Sequence, residues 1–146
     1  MRPLLPHGLS ESLARLAVAA DAATGPIVQR LGVVCEAEAK LRIGQGGAHK
    51  AGTRTTATKG AGPAVITGAL RRAVTHEMVG TATVRVGAAD TPHPAEKAGW
   101  KAPKASSGAI GGYVERRGYP WLQPALDATI AAAEPEINAV LRELPW

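Results

Sequence analysis

The sequence predicts an α+β fold in a single domain: an N-terminal helical arm, a small antiparallel sheet with long irregular loops, and a C-terminal amphipathic helix packed on the sheet. Three observations lead there. Apolar residues recur every three or four positions near both ends of the chain, they alternate with polar ones over residues 82–86, and two stretches rich in Gly, Pro and Lys separate these patterns. The expected divisions within 1–146 are an arm over 9–43, a mobile basic loop over 44–62, a sheet core over 65–118 that includes a loop at 88–112, and a final helix over 120–144. A domain of this length buries roughly 68–70% of the surface of its unfolded chain. The 45% apolar fraction leans on Ala and Val, with three Trp, two Tyr and no Phe, so a thin core that depends on neighbours is expected.

In the arm, Leu9, Leu13, Leu16 and Ala20 fall on one helical face, and Ser10 or Ser12 can cap its start. Thr24-Gly25-Pro26 then interrupts the pattern. Pro26 suits the first turn of a second helix through Ile27, Leu31, Val34, Ala37 and Leu41, so the two are expected to form a bent arm.

Residues 44–62 are mostly Gly, Ala, Thr and Lys, and their own burial cannot offset the entropy of ordering them. Structureless loops of this length are uncommon in compact domains unless they bind something. From Lys40 to Arg72 there are seven basic residues and no Asp or Glu. Lys50, Arg54, Lys59, Arg71 and Arg72 are the candidates for contact with DNA or an acidic partner; the alternative is a solvated loop that serves solubility.

Thr67 can cap a short helical turn that runs through Arg72. Val74–Met78 and Ala82–Val86 read as strands joined through Val79-Gly80-Thr81, with Ala82, Val84 and Val86 on the buried face. Residues 88–112 hold Pro92, Pro94, Pro103 and three lysines, which mark a second irregular excursion. Trp100 within it either folds back on the core or anchors a subunit contact.

Between Tyr113 and Trp121 the residues Glu115, Arg116 and Arg117 stand among aromatic groups just before a helix. Arg with Trp or Tyr is the combination enriched at interface centres, which makes Tyr113, Glu115, Arg116, Arg117, Tyr119, Trp121 and Leu122 the candidate subunit or partner interface. The alternative for the Glu115 and Arg pair is a surface salt bridge worth ~0–1 kcal/mol. The closing helix carries Leu122, Leu126, Ile130, Ala133, Ile137, Leu141 and Leu144. Pro124 is tolerated in its first turn, whereas Pro135 costs ~3 kcal/mol inside a helix and predicts a kink or break near Glu134.

No catalytic, cofactor or metal site emerges. His7, His49, His76 and His93 are scattered, Glu36 and Glu38 do not share a helical face, and the glycines of 44–50 match no phosphate-loop spacing. Ser106 and Ser107 lack the elbow sequence that exposes a nucleophile. Cys35, the single cysteine, allows neither an internal disulfide nor a cysteine-bound zinc, and is either a buried structural thiol or a reactive one. No secretory signal pattern and no run of ~20 apolar residues is present, so a soluble protein without a membrane partner is expected.

The combination of motifs over residues 65–130, about half the chain, resembles the short neck and tail-completion proteins, the head-to-tail connectors of lambda-like long-tailed bacteriophages. Thr67, Gly68, Leu70 and Arg71 match a Thr-Gly-x-Leu-Arg-x-Ser-Ile turn, with Ala73-Val74 in place of Ser-Ile. Val114, Glu115 and Gly118 match a Tyr-x-x-Val-Glu-aromatic-Gly-Thr corner, and Pro120, Leu122, Pro124 and Ala125 match Pro-x-Phe-Leu-x-Pro-Ala with Trp121 replacing Phe. Arg116-Arg117 stand where the family has one aromatic, and Tyr119 where it has Thr.

The resemblance implies a structural, non-enzymatic subunit of a six- or twelve-fold homo-oligomeric ring in the virion neck, assembled in the host cytoplasm. Its partners would be neighbouring connector or head-closure proteins on one side and tail-tube or tail-terminator proteins on the other, with no cofactor and with DNA passing through the channel. A nucleic-acid-binding module that contacts phosphates through residues 40–72 is the alternative.

Overall fold

The computed structural model describes residues 7–45, 59–63, 68–90 and 106–143. Their order is α1 (His7–Arg42), α2 (Ala69–Ala73), β1 (Val74–Met78), β2 (Val84–Ala88), α3 (Ser107–Arg116), α4 (Leu122–Ala131) and α5 (Ala133–Glu143). The fold is α+β: a long N-terminal helix, a two-stranded antiparallel sheet, and C-terminal helices packed around them. Expectations that rested on Lys50, Arg54, Thr67 and Trp100 concern positions outside the described residues.

Helix α1 is continuous for 36 residues, about 54 Å at 1.5 Å per residue, with Pro26 in its interior. The expected interruption at Thr24-Gly25-Pro26 does not break the helix. Proline deprives the Ala22 carbonyl of its usual partner, but Ala22 is exposed, so water can serve that oxygen. Thr24 Oγ1 donates to the Ala20 carbonyl at 3.1 Å one turn earlier. Downstream of the proline, α1 packs on the hairpin, α4 and α5, and that packing outweighs the local preference for a break.

The hairpin pairs Val74 with Ala88, His76 with Val86 and Met78 with Val84. Its second strand begins two residues later than the alternation predicts, because the connection spans 79–83 and is closed by Val79 N–H donating to the Thr83 carbonyl at 2.9 Å. A shift of two preserves the faces, so Val84 and Val86 still point inward. Gly32 brings α1 against this sheet: a Cβ there would lie 2.5 Å from Val84 Cγ2 and 3.4 Å from His76 Cδ2.

The buried cluster comprises Cys35, Ala39, Ile43, Val74, Trp121 and Ala125, with Leu70, Val86, Val114 and Leu122 around it. Apart from Trp121 its side chains are small or medium, as the composition implies.

One further departure and one expected break have local causes. The excursion expected over 88–112 ends early, since α3 starts at Ser107; Ser106 Oγ accepts from Ala109 N–H at 3.3 Å as an N-cap and donates to Asp90 at 2.6 Å. The final helix is divided at Ala132, close to Glu134, where Pro135 predicts a break. Pro135 lies in the first turn of α5, where a missing N–H costs nothing, and its ring would press on the carbonyl of Ala131, the last residue of α4.

Candidate functional site

The corner joining α3 to α4 is completed from within. Glu115, near the end of α3, accepts the backbone N–H groups of Trp121 and Leu122 on Oε2 at 2.8 and 3.2 Å, and that of Gln123 on Oε1 at 3.3 Å. A helix leaves four N–H groups without internal partners, and Pro124 removes the fourth by lacking one. One carboxylate thus satisfies every such donor of α4 while sitting at the positive end of its dipole. Trp121 is 3% exposed and its Nε1 donates to the Gly111 carbonyl at 3.0 Å. Gly111 leaves room for this indole: a Cβ would lie 3.0 Å from its edge and 3.1 Å from Leu70.

Of the seven residues expected to form an interface, Glu115 and Trp121 are therefore engaged inside the chain. Tyr119 and Leu122 are half-buried, and Tyr113, Arg116 and Arg117 are exposed, with the Arg117 guanidinium 5.1 Å from the centre of the Tyr113 ring. Cations singled out separately in the sequence lie on segments that border this corner. Lys59 precedes Gly60, whose N–H donates to the Gly118 carbonyl at 2.7 Å, and Arg71 and Arg72 are exposed on α2, which packs against α3. The spacing along the chain carries no sign that the segments of Lys59 and of Arg71 and Arg72 border α3 and the turn that follows it.

A second feature was not anticipated. Helix α1, strand β2 and helix α4 enclose an apolar groove of about 640 Å³, walled by Val28, Leu31, Cys35, Val84, Leu126 and Ile130. Leu126 and Ile130 form an exposed lip, Ile130 at 65%. Cys35 lies at the base, and burial raises its thiol pKa, against a smaller opposing effect of Thr129.

The third feature is the arm itself. Residues 11–22 of α1 are exposed except for half-buried Ala19, with Leu13 and Leu16 each 53% exposed and Val18 71%. Eighteen positions separate Leu13 from Leu31, five turns at ~3.6 residues each, so the arm's apolar stripe continues the line of the groove wall.

Polar clusters serve structure. Glu36 on α1 bonds Lys40 one turn on and, at 2.5 Å, Nδ1 of His76 on β1. The Lys40 hydrogen bond, more than that of His76, holds the Glu36 carboxyl below its ordinary pKa. No group of three or more metal-ligating side chains, and no helix long and apolar enough to cross a membrane, occurs among the described residues. Comparison of the chain with protein-family models, curated proteins and solved structures finds no match.

Proposed function

We propose that this chain is a structural subunit of a phage neck ring, joining the portal or connector to the tail tube. The observation that carries this reading is the arm: a rigid half-helix with Leu13, Leu16 and Val18 in water is a poor solution for a chain that works alone. Such a surface suits a subunit completed by others, and the motif resemblance over 65–130 supplies the setting. At the corner, Glu115 and Trp121 fix the geometry, leaving Tyr113, Arg116 and Arg117 to meet a neighbour.

The purified chain, alone and mixed with its neighbouring connector and tail proteins, is expected to give closed oligomers by native mass spectrometry and rings by negative-stain imaging. A chain that stays monomeric and never joins partner rings would refute the proposal.

The exposed cations Lys59, Arg71, Arg72, Arg116 and Arg117, on segments that border one another, favour a second reading, contact with nucleic acid. Five phosphate contacts would give log affinity a slope of about −4.5 against log salt. Duplex binding with that slope by a monomer would favour it over the ring, and salt-insensitive or absent binding would remove it.

A further inference from the structure

We infer that the groove between α1, β2 and α4 receives the N-terminal arm of a second copy of this chain, donated head to tail around a ring. The inference rests on the ring reading and names the contact that builds it. Groove and arm are both apolar and both open. The groove offers Val28, Leu31, Leu126 and Ile130, and the arm offers Leu13 and Leu16 flanked by Ala17 and Ala20, a slim stripe suited to a channel.

The arm cannot fill the groove of its own chain. Leu13 stands about 27 Å along the axis from Leu31, at 1.5 Å per residue, and the helix between them is unbroken. A second copy carries the same arm free to enter. Because the donated surface differs from the receiving one, the contact is heterologous: it leaves one arm and one groove unfilled at each step until the chain of subunits closes. Pairing of stripe against stripe would instead stop at two.

Two double variants test this, each confined to exposed positions. Leu13→Glu with Leu16→Glu disables the arm; Leu126→Glu with Ile130→Glu disables the groove. Circular dichroism like that of the unmodified chain, with a cooperative thermal transition, establishes that both fold. Each alone is expected to weaken assembly at least tenfold in sedimentation velocity, and their equimolar mixture to form a one-to-one heterodimer that grows no further, since it holds one intact arm and one intact groove.

Open oligomers of the unmodified chain that either variant abolishes would keep the contact while removing the ring. Closed oligomers indifferent to both variants would keep the ring and overturn the contact. Loss of assembly in the arm variant alone would assign the stripe to another arm and overturn the proposal. An unmodified chain that is monomeric at its highest soluble concentration, with the groove variant melting earlier, would assign the groove to another part of the same chain and overturn it as well.

Discussion

Glu115 closes the start of a helix to which it does not belong. Its three backbone partners are Trp121, Leu122 and Gln123, six to eight residues ahead. Losing an ordinary cap costs ~0.5–2 kcal/mol, and bonds to a charged acceptor lie at the strong end, so Glu115→Ala should cost about 2 kcal/mol in urea denaturation. Glu115→Gln, which keeps one acceptor oxygen, should cost about half as much. Glu36 provides a pH test. Its folded-state pKa is depressed by Lys40 and His76, so its contribution is complete above the ordinary glutamate range and is lost as pH falls through the lowered value. Acid titration of stability should therefore be less steep for Glu36→Gln than for the unmodified chain. The sequence marked Glu115 and Trp121 as special without showing how they are used: a carboxylate between aromatic residues reads as an interface, and a cap supplied by the preceding helix leaves no local pattern.

Helices α1 and α3 show packing overruling local preference in both directions. Proline inside a helix costs about 3 kcal/mol, and α1 tolerates Pro26 because its C-terminal half is held by four other elements, β1, β2, α4 and α5. Pro26→Ala should therefore stabilise the protein by about 1–3 kcal/mol, read from the thermal midpoint; were the arm bent there, the substitution would be nearly neutral. Gly32→Ala tests the opposite balance. The helix gains roughly 0.5–1 kcal/mol in propensity, but the new methyl meets the stiff Val84 side chain, and overpacking of ~1–3 kcal/mol makes the change destabilising by about 1 kcal/mol. The stripes of α1 and α4 and the alternation of β2 were readable because burial on one face imposes a period. Helix α3 was not, since Gly108, Gly111 and Gly112 each lower helix propensity, and only Leu70, Trp121 and the Ser106 cap, brought together by the fold, offset them.

At the level of the whole molecule, the proposed contact between arm and groove would tie stability to association. The melting temperature should rise with protein concentration for the unmodified chain and become independent of it in the arm variant, a comparison that scanning calorimetry makes directly. The architecture was legible because three well-patterned stretches specify it. The groove was not, because its walls come from residues near 30, 85 and 126, and each reads alone as ordinary core. The unbroken α1 also acts as a ruler with a phase. Removing one residue between Leu16 and Ala23 would turn the stripe by ~100° relative to the body, whereas removing the seven residues 17–23 turns it by only ~20° and shortens the reach by about 10 Å. Single deletions there should silence assembly, and a two-turn deletion should preserve it with a changed number of subunits per turn of the axis.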